Sequence, residues 1–136
     1  MVKTLRLEIV TPEAKTYSED VDMVNLPGLE GDMGIFPDHV PLMTQISSGE
    51  IGVFKNGEQQ FLAVGEGFVE VTGEKVAVLT DMAVKESEID EKAAEEARKR
   101  AEARLQEKLS DEELASVSAA LAHSLAQLKV KRRNRH

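Results

Sequence analysis

Apolar and polar residues alternate in the first half of the chain in the manner of β-strands. Leu5, Leu7 and Ile9 alternate with polar neighbours, which predicts a strand with one buried face. A second short strand is predicted over 21–26. Further along, the Asn56-Gly57 dipeptide separates two apolar runs and predicts a hairpin, because a type I′ turn requires positive φ at both central residues.

Another pair of apolar runs, 68–71 and 76–79, flanks a turn at Gly73 and predicts a second hairpin. Many short strands with closely spaced turn signals are typical of an antiparallel β-sandwich or barrel. Eight of the nine glycines lie between positions 28 and 67, and none follows Gly73. The pattern and the composition therefore both change near residue 87, and we place a domain boundary there, between 1–86 and 87–136.

The second part has the period of α-helices. One row of residues spaced four apart predicts a first helix, with Ser87 and Asp90 as its capping box. Ser110 and Glu113 form a second capping box, which predicts a second helix and hence a helical hairpin with a basic tail after Lys129. The expected apolar stripes are Ile89, Ala93, Ala97, Ala101 and Leu105 in the first helix, and Leu114, Val117, Leu121, Leu125 and Leu128 in the second. The fold class is thus α+β, an N-terminal antiparallel β-sandwich followed by a C-terminal helical hairpin.

The stripe of the first helix consists mostly of alanine, which buries little apolar area. Two interpretations remain open. The hairpin is held weakly and is free to move, since mobile segments have low local stability, or alanine simply permits close packing of the two helices.

Composition excludes several classes of function. The chain has 136 residues, a net charge of −8 and no cysteine, so disulfides and thiolate chemistry are absent and a general nucleic-acid binder is not expected. No apolar run approaches the roughly 18 residues of a membrane span. The charged start of the chain lacks the apolar segment of a signal peptide, so a cytoplasmic location is expected. The acidic excess lies in residues 1–86, whereas residues 87–136 carry 11 basic and 10 acidic side chains.

A segment rich in glycine and proline, residues 28–43, predicts a shaped and rigid loop that contacts a partner. Within it, Glu30, Asp32 and Asp38 could offer oxygens to a cation, but exposed loop carboxylates are usually solvated and no metal is expected. His39 is interpreted as a structural hydrogen-bonding residue rather than a general base. No phosphate-binding loop and no nucleophile–base pair is visible, so an independent enzyme is not expected.

Four segments carry a resemblance to a known family. They are Leu7-Glu8-Ile9-Val10-Thr11-Pro12, the loop Gly31-Asp32-Met33-Gly34-Ile35-Phe36-Pro37-Asp38-His39-Val40-Pro41-Leu42, the strand Ala63-Val64-Gly65-Glu66-Gly67-Phe68-Val69-Glu70-Val71, and Ile89-Asp90 at the start of a helix rich in Ala, Arg and Glu. With these segments the chain resembles the epsilon subunits of bacterial F-type ATP synthases over nearly its whole length.

The resemblance implies a non-catalytic rotor subunit of the central stalk. The sandwich would bind the gamma subunit and the c-ring, with a contact loop that contains Glu30, Gly31, Asp32 and His39. The helical hairpin would either fold against the sandwich or extend into the catalytic head of alpha and beta subunits, where it inhibits ATP hydrolysis. The subunit would lie at the cytoplasmic face of the cell membrane as a peripheral part of the proton-translocating complex.

Some members of this family also bind ATP through an Ile-Asp-x-x-Arg-Ala motif and further arginines. The matching positions here are Ile89, Asp90, Ala94, Arg100 and His123, but Ala93 replaces the motif arginine. His123 and Gln127 stand where ATP-binding members carry arginines, and Ala103 lies where a basic residue would be unsurprising.

Residues 109–128 contain no Lys or Arg at all. Arginine binds phosphate through charge-assisted hydrogen bonds, and each such bond lost costs about 1.5–3 kcal/mol. The expectation is that no cofactor is required and that any regulatory ATP binds weakly. Two alternatives stay open: an ATP-sensing module, and a generic adaptor that binds proteins through its hairpin.

Overall fold

The computed structural model describes residues 3–133, and ten β-strands occupy most of its first 85 residues. The strands are short, between three and seven residues long, as expected for a β-sandwich. Their bounds are β1 Leu5–Val10, β2 Lys15–Val21, β3 Met23–Gly28, β4 Gly31–Ile35, β5 Leu42–Ile46, β6 Gly49–Lys55, β7 Glu58–Val64, β8 Gly67–Val71, β9 Lys75–Thr80 and β10 Ala83–Lys85.

The strands form one continuous sheet that folds into two layers around a single core. The order is β10-β7-β6-β3-β5-β8-β9-β1-β2, and β4 pairs with β3 beside this path. Every pairing is antiparallel except that of β1 with β9. The core is aliphatic, with alternate residues of each strand turned inward, as at Leu5, Leu7 and Ile9 of β1. The predicted antiparallel β-sandwich is confirmed, with one parallel pair.

The hairpin turn predicted from Asn-Gly forms as expected. Asn56 and Gly57 have φ angles of 51° and 78°, and β6 and β7 pair along their whole length on either side. The hairpin of β8 and β9 also forms around Gly73.

The segment 28–43 is not one loop, contrary to the prediction. It contains a two-residue turn, the strand β4 and a second turn before β5. β4 pairs with β3 from Val24–Ile35 to Gly28–Gly31, and its glycines obscured the alternation that marks a strand.

Two helices follow a short 3₁₀ turn at Glu86–Glu88: α1 Glu91–Arg104 and α2 Asp111–Arg132. The capping box predicted for Ser87 is wrong, because the 3₁₀ turn and an extended Ile89 precede the helix. Asp90 is the N-cap, and its carboxylate accepts a hydrogen bond of 3.1 Å from the Ala93 backbone N–H. The capping box of Ser110 and Glu113 is confirmed.

The predicted apolar stripes are only partly buried. In α1 the buried residues are Ala94 and Ala101, whereas Ala93 is exposed. In α2 the prediction is wrong for Leu114 and Leu125, which are 46% and 49% exposed. The C-terminal half of α2 packs against both α1 and the sandwich, so its buried residues follow no single stripe: Ser124, Ala126, Leu128 and Val130.

No helix within residues 3–133 combines the length and the apolar content that crossing a lipid bilayer requires.

Candidate functional site

The predicted contact residues Glu30, Gly31 and Asp32 lie at the tip of the β3–β4 hairpin. All three are exposed, and they project from the sandwich at the end where Gly28 pairs with Gly31. Gly31 has a φ of 129°, which a residue with a side chain rarely adopts. A Cβ at Gly28 would come within 2.6 Å of the Gly31 carbonyl oxygen. Two glycines thus shape a tight turn that presents two carboxylates to solvent.

His39 lies at the opposite end of β4, in the connection between β4 and β5. The four residue steps of β4 separate the two ends by about 13 Å. The structure therefore does not bring His39 together with Glu30 and Asp32. Its ring Nδ1 lies 2.7 Å from the Val40 carbonyl oxygen, and its backbone N–H donates to the Phe36 carbonyl oxygen at 3.2 Å, which agrees with a structural role.

Asp38, next to His39, is also remote from the hairpin tip. Its backbone N–H donates to the Gly73 carbonyl oxygen at 2.9 Å, and its carboxylate pairs with Lys3 at 2.5 Å. The three carboxylates considered for a cation therefore do not converge. Within the described part of the chain, no group of three or more His, Asp or Glu side chains is placed to hold a metal ion.

Sequence reasoning missed an exposed apolar surface on the outer face of β5, β8 and β9. Met43, Phe68 and Leu79 are 70%, 53% and 57% exposed. Phe68 pairs directly with Leu79, and Gln45, two residues from Met43, pairs with Phe68, so all three side chains share one face. These residues alternate with buried neighbours, as in any strand with one buried face. The sequence alone therefore does not show that the outer face of these strands meets a partner.

Further exposed apolar side chains border this surface. Leu29 in the β3–β4 turn is 63% exposed, and an open groove of about 350 Å³ lies between it and Phe68. Phe36 and Val40 are 61% and 71% exposed in the connection that carries His39. We name the set Leu29, Phe36, Val40, Met43, Phe68 and Leu79 the outer apolar surface. Exposed apolar side chains grouped as Met43, Phe68 and Leu79 are on one sheet face often mark sites of protein association.

The helical hairpin packs against the opposite part of the sandwich. Ala126 and Val130 of α2 form a small buried cluster with Ala63 of β7 and with Ile89, and Phe61 packs against its edge. The Ser48 hydroxyl lies 3.3 Å from the Ala122 carbonyl oxygen of α2 and 3.2 Å from the Val64 carbonyl oxygen of β7, so its one hydrogen is shared between the two parts. Met82 and Val84 also pack against this cluster, so its buried centre of two alanines, Val130 and Ile89 has larger, partly buried side chains around it.

A partly exposed contact between His123 and Asp81 spans the same interface. The His123 Nε2 lies 3.1 Å from an Asp81 carboxylate oxygen, and the two side chains are 27% and 51% exposed. Gly65 leaves room for them, since a Cβ there would come within 1.9 Å of Asp81. A cavity of about 150 Å³ opens beside the pair. Its charged lining consists of Glu66, Asp81 and His123, so acidic groups outnumber basic ones.

The five candidate nucleotide-binding residues are dispersed. Ile89 is buried in the interface cluster, Asp90 caps α1, and Ala94 is buried within the hairpin. Arg100 is exposed on α1, and His123 pairs with Asp81 across the interface. The Ala94 backbone N–H donates to the Asp90 carbonyl oxygen at 3.0 Å, which is part of the first turn of α1, and among residues 3–133 no side-chain hydrogen bond or ion pair joins two of the five.

Charged pairs hold the two helices together at both ends of the hairpin. Arg104 reaches Glu113 at 3.1 Å near the connection, and Arg132 reaches Glu91 at 2.9 Å and Glu95 at 3.0 Å at the other end. The hydrogen bond from Arg98, together with that from Arg132, lowers the pKa of Glu95 from its usual 4.5 to about 2.

The last described residue fastens the end of α2 to the sandwich. The Arg133 guanidinium contacts both carboxylate oxygens of Glu50, with a hydrogen bond of 3.1 Å from Nε to one of them. Its central carbon lies 4.0 Å from the centroid of the Phe61 ring. An arginine that both pairs bidentately and stacks on an aromatic ring is among the stronger polar contacts available to a protein surface.

Comparison with known proteins identifies the family. The family model described as "ATP synthase, Delta/Epsilon chain, beta-sandwich domain" matches residues 4–86, and that of the corresponding long alpha-helix domain matches residues 87–132. The chain is 44% identical to the ATP synthase epsilon chain of Herpetosiphon aurantiacus over 133 residues, covering 96% of this chain and 98% of the relative. It is 41% identical to that of Alkalilimnicola ehrlichii, covering 98% and 96%.

A solved structure shares the fold. It is a chain of the cryo-EM structure of Euglena gracilis mitochondrial ATP synthase (OSCP/F1/c-ring), with a TM-score of 0.74 and 21% identity, covering 90% of this chain and 78% of that chain. At that identity the likeness supports the fold alone, whereas the curated relatives carry the assignment. The chain therefore belongs to the delta/epsilon family of ATP synthase subunits, as its motifs predicted, and is a non-catalytic subunit rather than an enzyme.

Proposed function

We propose that this chain is a central-stalk subunit that joins the gamma subunit to the c-ring and inhibits ATP hydrolysis through its helical hairpin. Solved structures of the same fold come from ATP synthase assemblies, one described as OSCP/F1/c-ring and one, from Tetrahymena thermophila, as central stalk/c-ring, which supports a place in the stalk. As part of that complex the chain would lie at the cytoplasmic face of the membrane, as a peripheral subunit.

The outer apolar surface is the observation that carries the rotor assignment. Its members are more than half exposed, and a side chain such as Met43 or Phe68 loses an unfavourable contact with water when a partner covers it. The β3–β4 turn beside it presents the carboxylates of Glu30 and Asp32, which can pair with polar groups in the loops of the c-ring. Such pairs determine how two partners align more than how tightly they bind. We assign the apolar surface to the gamma subunit and the turn to the c-ring.

A charge placed on this surface tests the assignment. Phe68→Glu should weaken co-purification with a gamma subunit by tenfold or more, since the partner would have to bury an unpaired carboxylate. Leu114→Glu, on the exposed face of α2, provides a matched control that should bind normally. Equal binding by both variants would overturn the assignment of the surface and favour a generic adaptor.

The regulatory part of the proposal rests on the hairpin. The buried cluster between the hairpin and the sandwich is much smaller than the core of the sandwich, so release of the hairpin exposes less apolar area than unfolding of the sandwich does. Deletion of residues 88–136 should raise the ATP hydrolysis rate of the assembled complex several-fold without affecting assembly. An unchanged rate with normal assembly would show that the hairpin is not inhibitory.

We also infer that ATP binds weakly or not at all. The cavity beside His123 measures about 150 Å³, below the usual 300 Å³ or more of a ligand pocket, and its charged lining is mainly acidic. The remaining basic candidate, Arg100, is exposed on α1. Titration calorimetry of the isolated subunit with ATP should give no saturable heat at micromolar ligand. Tight binding would instead favour an ATP-sensing module.

A further inference from the structure

Arg133 makes the most extensive polar contact between the hairpin and the sandwich. Its partner Glu50 lies on β6 with a side chain only 14% exposed, so this carboxylate is largely withdrawn from water. Arg133 supplies two hydrogen-bonding nitrogens to it and covers the ring of Phe61 on β7. The Arg133 side chain itself is 37% exposed, but a bidentate guanidinium pair with a largely covered carboxylate is stronger than a fully exposed ion pair.

The neighbouring residues hold the same end of α2. Val130, one turn earlier, is fully buried against the sandwich, and the Lys131 ammonium donates to the Glu86 carbonyl oxygen at 3.3 Å. Arg132, by contrast, pairs within the hairpin, and its ion-pair partners among residues 3–133 are Glu91 and Glu95 of α1. Two adjacent arginines therefore have different tasks: Arg132 joins the helices, and Arg133 joins the hairpin to the sandwich.

The remaining contacts across this interface are weaker. The His123–Asp81 pair is partly exposed, and Ser48 contributes a single neutral hydrogen bond. The apolar cluster of Ala63, Ile89, Ala126 and Val130 lies closer to the middle of the interface. Loss of the Arg133 side chain would thus remove the two hydrogen-bonding contacts and the ring contact that join the end of α2 to β6 and β7.

We propose that Arg133, Glu50 and Phe61 form a latch that keeps the hairpin folded against the sandwich, so that opening the latch strengthens inhibition. This proposal rests on the proposed regulatory function. Opening the latch and deleting the hairpin should change the hydrolysis rate in opposite directions. Deleting residues 88–136 removes the inhibitory hairpin, whereas loss of the Arg133 side chain frees the hairpin to inhibit. An acidic segment of a partner that captures Arg133 would open the latch in the same way.

The distance between sandwich and hairpin tests the latch in the isolated full-length subunit. The chain has no cysteine, so Glu30→Cys and Leu125→Cys can carry a single pair of spin labels at two exposed positions. Arg133→Gln should increase the population with a long label separation by about tenfold, as expected for loss of a charged hydrogen-bonding pair. Glu50→Gln should act in the same direction.

Arg132→Gln is the matched control, because it removes the same charge from the adjacent position without touching the sandwich. It should leave the distance distribution between sandwich and α2 unchanged. Arg133→Lys should give an intermediate result, since lysine keeps the charge but lacks the planar fork. Equal label distances in the wild-type, Arg133→Gln and Glu50→Gln proteins would overturn the latch.

Hydrolysis by the assembled complex separates the latch from the proposed function. Arg133→Gln should lower the hydrolysis rate below that of the wild type, and deletion of residues 88–136 should raise it above. If the label distance lengthens while neither change alters hydrolysis, the latch stands and the inhibitory function is wrong. If deletion raises hydrolysis but Arg133→Gln leaves both distance and rate unchanged, the function stands and the latch is wrong.

Discussion

At the first residue of β8, Gly67 lies so close to β9 that no side chain fits. A Cβ there would come within 1.9 Å of the Leu79 carbonyl oxygen and 2.9 Å of its carbonyl carbon, and both atoms belong to the backbone. A backbone moves less readily than the end of a side chain. The pairing of β8 with β9, which presents Phe68 and Leu79 on the outer apolar surface, therefore depends on this glycine.

We predict that Gly67→Ala lowers the free energy of unfolding by about 1–3 kcal/mol, the usual cost of forcing extra atoms into packed structure. Gly73→Ala is the control, because a Cβ at Gly73 meets no atom within 4 Å. Urea unfolding of both variants measures the difference. Equal stability of the two variants would show that the β8–β9 contact relaxes without cost.

At the scale of elements, the sequence predicts best those features that local chemistry decides. The Asn56-Gly57 turn and the Ser110–Glu113 capping box each depend on a few consecutive residues, and both form as predicted. The start of α1 differs from the prediction, because a 3₁₀ turn follows β10. The helix therefore begins at Glu91, and Asp90 is its N-cap. The strand β4 was also missed, since pairing with β3 rather than its own residue pattern determines it.

The pairing of α1 with α2 should respond to acid. The pKa of Glu95 is lowered from 4.5 to about 2, so its ionised form stabilises the folded hairpin. That contribution is complete above about pH 5 and is lost as the pH falls towards 2, because the unfolded chain takes up the proton first. We predict that Glu95→Gln weakens the hairpin at neutral pH and flattens its pH dependence between 5 and 2.

Helical circular dichroism of the full chain, followed during thermal unfolding at several pH values, measures this effect. Glu96→Gln provides the comparison, since Glu96 is exposed on the adjacent position of α1. The difference between the two variants should be largest at neutral pH and should vanish near pH 2. A difference that is independent of pH would contradict the role given to the Glu95 carboxylate.

At the scale of the whole molecule, the fold was predictable and the contacts between its parts were not. The two-part architecture follows from a change of hydrophobic period near residue 87. Which residues meet across the parts depends on how the hairpin lies on the sandwich, and no periodicity encodes that. The sequence pattern places Arg133 in a basic tail, whereas its partner Glu50 lies 83 positions earlier in the chain. The outer apolar surface was missed for the same reason.

The interface between hairpin and sandwich also predicts that the hairpin opens at a lower free energy than the sandwich does. The sandwich has its own aliphatic core, whereas the hairpin packs against it through the separate and smaller cluster around Ala126 and Val130. Ala126→Glu places a carboxylate in that cluster, where it would be desolvated without a partner. We predict that amide hydrogen exchange in α2 accelerates at least tenfold while the strands keep their protection, since segments with few buried contacts open independently of the core.

Ala120→Glu, on the exposed side of the same helix, introduces the same charge and should leave exchange in α2 unchanged. If Ala126→Glu instead lowers protection in α2 and in β6 and β7 together, the hairpin and the sandwich unfold as one cooperative unit. The hairpin would then not be released without loss of the sandwich, and a mechanism based on its detachment would fail. If only α2 responds, the fold itself permits the movement that inhibition requires, and the Arg133 latch sets how often it occurs.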